Sequence, residues 1–169
     1  WLVCQNDIMV DNPTEKDLYT VGTIAKIKVV RKKEGFMRVT FTGMRRAKLA
    51  KLYDSKELMY ADVTPLTDSY GDKSEEYALV KKVVDKLEGM AQVAAVFPPE
   101  VVQQLSLGVN AETLGDQFGQ YFSLFDQATR QRLLETTNVN DRLMLIVEEL
   151  EKLQRYSELE TVINDRVKE

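Results

Sequence analysis

From Asn140 to Glu169 the chain runs thirty residues without a glycine or a proline, and no other segment limits its folding choices as much. Apolar residues recur there at Leu143, Ile146, Leu150, Leu153, Tyr156, Leu159, Ile163 and Val167. This spacing predicts a helix about 45 Å long at about 1.5 Å of rise per residue, with Asn140 as its N-cap. The intervals are three or four residues as far as Leu153, then three twice and four twice. Such a change of period swings the apolar face around the helix axis. The first half is therefore expected to enter a domain core. Leu159, Ile163 and Val167 are expected to meet something else, a neighbouring subunit or a further domain.

The rest of the chain falls into two compositional regions. Residues 1–66 hold 12 Lys or Arg against 8 Asp or Glu, whereas residues 67–169 hold 11 against 19. Different surfaces are implied. Residues 1–66 read as strands: Thr20 to Lys33 and Phe36 to Thr42 alternate apolar with polar residues around a turn at Lys33-Glu34-Gly35. Gly43 is expected to break the second strand, with a further pair over Met44–Tyr53 and Leu58–Leu66. Residues 67–74 read as a polar linker in which Asp72 or Ser74 caps a helix. Residues 75–169 read as a helical bundle with its long last helix from about residue 140. Its first helix is expected to bury Tyr77, Val80, Val84, Leu87, Ala91 and Ala94. Pro98-Pro99 and Gly108 punctuate the next helix, and Asn110 and Asp126 cap two more. The fold class is α+β, an antiparallel β subdomain followed by an all-α bundle.

Several chemistries are excluded by residue type. The chain has no histidine and one cysteine, Cys4, so no Ser-His-Asp site and no zinc site of clustered His or Cys can be built from it. A single cysteine also gives a reducing, cytoplasmic compartment as the expectation. Neither GxxxxGK[ST] nor GxGxxG occurs, and no apolar run approaches the roughly 20 residues that span a bilayer. No catalytic, metal or cofactor site is expected. The first residues, WLVCQNDIMV, contain no initiator methionine and open directly on a strand-like run, so the chain reads as part of something longer.

Two surfaces remain as candidates. Met37, Met44, Tyr53, Met59 and Tyr60 either face the sheet core or form a repackable apolar surface suited to varied peptides. Arg31, Lys32, Lys33, Arg45, Arg46, Lys48 and Lys51 either line the outward face of exposed strands or bind nucleic acid; nucleic acid is possible but not expected. Acidic runs such as Glu148-Glu149-Glu151 read as solvated helix faces.

Several strings, in their order, give a family resemblance. TVGTIAKI (Thr20–Ile27), FTGMRRAKL (Phe41–Leu49), FPPEVVQQL (Phe97–Leu105), DQATRQRLLE (Asp126–Glu135), NVNDRL (Asn138–Leu143) and ELETVINDRVK (Glu158–Lys168) resemble the N-terminal domain of Lon-type ATP-dependent proteases. The resemblance implies a PUA-like β subdomain and a helical bundle. It also implies binding of unfolded or damaged proteins, support of a homohexamer, and a last helix leading to an ATPase domain. ATP and Mg²⁺ use and Ser-Lys peptidase chemistry would belong to downstream domains, leaving this region non-catalytic. In the family further strands precede the position of Trp1, so the β subdomain is expected to be incomplete. Met37, Met44, Tyr53, Met59 and Tyr60 become the expected substrate contacts, and Leu159, Ile163 and Val167 the inter-subunit or interdomain ones.

Overall fold

The computed structural model describes residues 1–54, 59–90, 98–121 and 125–168. They form two compact units, Trp1–Thr67 and Asp68–Glu169, strands in the first and helices in the second, as the α+β reading requires.

The first unit holds strands β1 (Val21–Lys33), β2 (Phe36–Asp54) and β3 (Met59–Pro65) in an antiparallel sheet of order β1-β2-β3. Lys33 pairs with Phe36, which leaves Glu34-Gly35 as the turn, and Gly35 takes the left-handed φ of 82° that favours glycine. The expected break at Gly43 is absent. Gly43 pairs with Ala25 and Arg45 with Ile24, so Met44 is the extra residue of a β-bulge and β2 continues through it. A second bulge leaves Lys28 unpaired between Ile27 and Val29, and a third leaves Ala50 unpaired between Leu49 and Lys51. The turn between β2 and β3 falls outside the described residues. On the other side of β1, Leu2 bridges Thr23, and the Trp1 indole donates to the Ala47 carbonyl at 3.3 Å. A Cβ on Gly22 would stand 2.9 Å from the Trp1 ring and run into the Leu2 carbonyl, so glycine is required there. The apolar residues fully covered in this unit, among those described, are Leu18, Val21 and Ala47. Its core is small.

The second unit contains α1 (Lys73–Glu88), α2 (Pro99–Leu107), α3 (Ala111–Tyr121), α4 (Gln127–Glu135) and α5 (Val139–Lys168). The caps follow local chemistry. Asp72 accepts from the N–H groups of Ser74 (2.9 Å) and Glu75 (3.0 Å), Asn110 from Thr113 (2.7 Å) and Asp126 from Thr129 (2.7 Å). One expected cap is corrected: Asn138, not Asn140, accepts from the Asp141 N–H at 3.1 Å, and α5 starts at Val139. The face of α1 is corrected too. Leu79, Val83 and Leu87 are buried, Val80 and Val84 pack beside them, and Tyr77 is 74% exposed. Val80, Val84 and Leu87 lie on the core side as expected, Leu79 and Val83 widen the stripe beside them, and only Tyr77 turns away from it. Ala91 and Ala94 lie outside the described residues. Leu143, Ile146, Val147 and Leu150 of α5 complete the core with Leu114 and Leu133. Each such side chain contributes about 2 kcal/mol on burial.

Arg142, on the first turns of α5, is wholly buried. Its Nη2 donates to Asp68 Oδ1 at 2.8 Å, Nη1 to Asp116 Oδ1 at 3.2 Å and Nε to the Thr136 carbonyl at 2.9 Å. A Cβ on Gly115 would lie 2.9 Å from Arg142 Cδ, so the small residue beside Asp116 makes room for the side chain. Asn140, also buried, donates to the Asp72 carbonyl at 3.1 Å and to Glu75 Oε2 at 2.9 Å. Ser69 exchanges backbone hydrogen bonds with Thr137 (3.0 Å) and Val139 (2.9 Å). Residues 68–72, polar in sequence and expected as a linker, are thus tied down by the start of α5.

Asp68→Ala is expected to lower unfolding free energy by about 3 kcal/mol, because it strips a buried guanidinium of its nearer carboxylate. Asp116→Ala, whose carboxylate is 51% exposed, should cost about 1 kcal/mol or less. Urea unfolding of the two variants separates them, and equal small losses would refute the anchoring role. A second expectation concerns acid. The Thr129 N–H holds the Asp126 carboxyl below the ordinary value of 3.8. Its contribution is therefore complete above that pH and is lost as pH falls through the lower folded value. Asp126→Asn keeps a capping acceptor and should reduce the fall in thermal midpoint between neutral pH and pH below 3.8.

Candidate functional site

The sheet exposes apolar side chains that strands of this composition would be expected to cover. Met37 is 58% exposed, Met44 60%, Tyr53 41%, Met59 52% and Tyr60 59%. A core-facing role is therefore excluded for all five in this structure. Register shows which of them are neighbours. Tyr53 pairs directly with Tyr60, so their rings share one face of the β2–β3 ladder. Lys51 stands over the Tyr53 ring at 4.7 Å, and the Tyr53 hydroxyl donates to Asp62 Oδ2 at 2.8 Å. That hydrogen bond raises the phenol above its ordinary value of 10.0, so Tyr53 is a neutral, anchored ring. Met59 precedes Tyr60 by one position in the pleat and lies on the opposite face. Met44 is pushed out of the ladder by its bulge. Met37 sits near the tip of the β1–β2 hairpin, roughly 50 Å of strand contour from Tyr53. The five are exposed together but do not converge on one pocket.

The hairpin carries a second apolar group that alternation in the sequence does not reveal. Strict alternation would put Ile27 with Val29. The bulge at Lys28 re-phases the strand, so Ile27 pairs with Phe41 and Val30 with Val39. Ile27, Val30, Met37, Val39 and Phe41 then share one face, and four of them are 42–59% exposed. The opposite face carries Arg31 paired with Arg38 and Lys33 paired with Phe36. The adjacent pair Val29-Val30, which cannot face one way in a regular strand, is the only trace of this in the sequence.

In the helical unit, α5 changes character along its length. Leu143, Ile146 and Leu150 are fully buried, whereas Tyr156 is 70% exposed, Leu159 57%, Ile163 58% and Val167 79%. No packed partner covers this second half among the described residues. The described residues also contain no group of three or more side chains suited to a metal ion, and no helix long and apolar enough to cross a membrane.

Comparison with known proteins gives this surface a context. Residues 1–152 match the family model of the ATP-dependent protease La (LON) substrate-binding domain. The Lon protease of Escherichia coli K12 is 30% identical over 168 residues, which cover 99% of this chain and 21% of that protein. That of Syntrophomonas wolfei is 31% identical over 169 residues, with the same coverages. The chain thus spans about a fifth of the length of the curated relatives it matches. Among solved structures, the N-terminal domain of Mycobacterium avium complex Lon protease superposes with a TM-score of 0.67. It is 23% identical, and the match covers 82% of this chain and 74% of that one. That likeness shows a shared fold. With the family model matched over nearly the whole chain, this protein belongs to the Lon substrate-binding domain family.

Proposed function

We propose that this chain is the substrate-recognition part of an ATP-dependent Lon protease, and that it holds unfolded or damaged proteins. The observation that carries this reading is the set of large apolar side chains on the open sheet, in a chain of the substrate-binding family. Methionine and tyrosine suit a variable partner. The thioether chain repacks around different shapes, and an anchored phenol offers an apolar body with a polar tip. Met37, Met44, Tyr53, Met59 and Tyr60 are the proposed contacts. Their separation implies several weak contacts along an extended polypeptide rather than one deep pocket. The net affinity is correspondingly modest, since the gain per side chain must offset the ordering of both partners.

The chain itself is proposed to be non-catalytic and to bind no cofactor. Peptide cleavage by a Ser-Lys pair and ATP hydrolysis with Mg²⁺ are assigned to other domains of the whole protein, an endopeptidase placed in the cytoplasm. The exposed half of α5 supports a role in assembly, with Leu159, Ile163 and Val167 meeting a neighbouring subunit of a homohexamer or the downstream ATPase domain.

The double substitution Met44→Ser with Tyr60→Ser is expected to weaken binding of a permanently unfolded protein about tenfold, a loss of about 1.4 kcal/mol, while leaving the unfolding midpoint in place. Unchanged affinity in a titration would remove these residues from the contact surface. Leu159→Glu with Ile163→Glu in the whole protein should reduce the assembled mass in light scattering and leave binding of the unfolded protein intact. Loss of that binding with no change in mass would contradict the assembly role. Binding of single-stranded DNA that falls steeply with salt, in place of protein binding, would favour a nucleic-acid module instead.

A further inference from the structure

Each unit carries one exposed feature whose charge is opposite to that of the other. The first is the tip of the β1–β2 hairpin. Register sets Lys33 opposite Phe36 and Arg31 opposite Arg38, so these four side chains share one face, and Lys32 and Met37 lie on the other. Phe36 is 56% exposed, and a Cβ added to Gly35 beside it would meet nothing within 4 Å. Lys26 to Arg38 contains six Lys or Arg and one Glu. Arg31, Lys33 and Arg38 make no ion pair among the described residues. Arg31 facing Arg38 is a like-charge pairing that destabilises a ladder until an anion offsets it.

The second feature is a groove of about 440 Å³ between α4 and the first turns of α5. Asp141, Met144 and Glu148 line it from α5, and their steps of three and four residues put them on one stripe. The two carboxylates are about 10 Å apart along the axis, with the methionine between them. Met144 is 41% exposed, and Leu145 is buried beside it. Glu135 adds a third carboxylate from α4. Asp141 and Glu148 make no ion pair among the described residues. The cation on the rim, Arg132, is 3.9 Å from Glu149. The groove is therefore acidic around an apolar centre.

The two features match. The tip has an aromatic ring between cations: Lys33 lies about 5 Å across the ladder from Phe36, and Arg38 about 7 Å along the strand. The groove has a thioether between carboxylates. A ring set against a methionine sulfur gains a favourable contact, and it brings the flanking cations within side-chain reach of Asp141 and Glu148. Neither feature involves the outer edge of β1 or the second half of α5.

We propose that the hairpin tip of one copy of this chain docks in the α4–α5 groove of a second copy, with Phe36 against Met144 and with Lys33 and Arg38 beside Asp141 and Glu148. The two surfaces are unlike, so the contact repeats head to tail and closes into a ring where the rotation permits. A contact of so few residues is small beside the roughly 1,000 Å² of a stable interface. It is weak singly and sensitive to salt, and several closed in one ring reinforce one another. It uses neither the Met37 face nor α5 beyond Leu153, so it stands apart from the substrate and assembly roles proposed above.

Sedimentation velocity over a concentration series reaching about 1 mM tests this on the chain as it stands. The chain should associate at low salt and dissociate as salt rises. Lys33→Glu with Arg38→Glu, and separately Asp141→Asn with Glu148→Lys, should each raise the dissociation constant about tenfold. All four positions are exposed, and circular dichroism checks that the fold persists. An equimolar mixture of the two variants should regain association, because the unaltered tip of one meets the unaltered groove of the other. The same series with Leu159→Glu and Ile163→Glu added should give the same pattern, which separates this contact from association through α5. A chain that stays monomeric, variants that associate as the unaltered chain does, or a mixture that fails to recover overturns the proposal. So does a groove variant that loses binding of a permanently unfolded protein while still associating, which would make the groove a site for the bound protein. Loss of oligonucleotide binding by the tip variant with association unchanged would likewise assign the tip to nucleic acid and overturn it.

Discussion

The helical unit is arranged around a guanidinium with no access to water. Arg142 brings together Asp68, Asp116 and the Thr136 carbonyl, groups from three well-separated stretches of chain. A buried cation is tolerated only when its donors are matched, and here Nε, Nη1 and Nη2 each find an acceptor. The neighbouring Asn140 does the same on the adjacent side of α5 by holding Asp72 and Glu75. The two side chains determine where the segment before α1 runs, and Asp72 in turn caps α1. Apolar contact between α1 and α5 supplies most of the burial, but it is compatible with many helix orientations. The polar anchors select one.

The sheet follows a different logic. With few residues fully covered in the first unit, its strands are held by ladder hydrogen bonds and by the Trp1–Leu2 segment laid against β1. Its three bulges do more than bend the ladder. Each shifts the phase of the side chains beyond it. The bulge at Lys28 gathers Ile27 and Val30 on one face, and the bulge at Gly43-Met44 ejects a methionine into solvent. An apolar surface is therefore produced by irregularities in strands whose composition is ordinary.

The last helix combines both kinds of behaviour in one element. Up to Leu150 its side chains are spent on the bundle core; past Leu153 the same helix continues with its apolar residues uncovered. No glycine or proline marks a boundary along it. What changes is the period of the apolar positions, and with it the direction in which the stripe points.

The order of strands and helices, the capping by Asp72, Asn110 and Asp126, the turn at Gly35 and the long α5 are all carried by local sequence. Capping, turn geometry and periodicity act over a few residues and leave a readable pattern. The family resemblance was readable for a related reason, since it rests on strings kept in order along the chain. The bulges were not readable, because whether Gly43 ends a strand or kinks it depends on the strand beside it. One edge of the buried face of α1 is hidden for the same cause: Tyr77 and Leu79 fit a helix equally well, and only the position of α5 decides which turns inward. Arg142 left no signal at all. Residues 68, 116 and 142 have no periodic relation, and an arginine in a charged helix reads as solvated until a core closes over it. The sequence by itself thus determined where strands give way to helices and how the helices are ordered and capped, because those choices are made by neighbours along the chain, while the continuity of β2 through Gly43 was not among them. Which side chains those elements cover, pair or leave to a partner was decided only by the tertiary structure, because burial and register are set by residues distant in sequence.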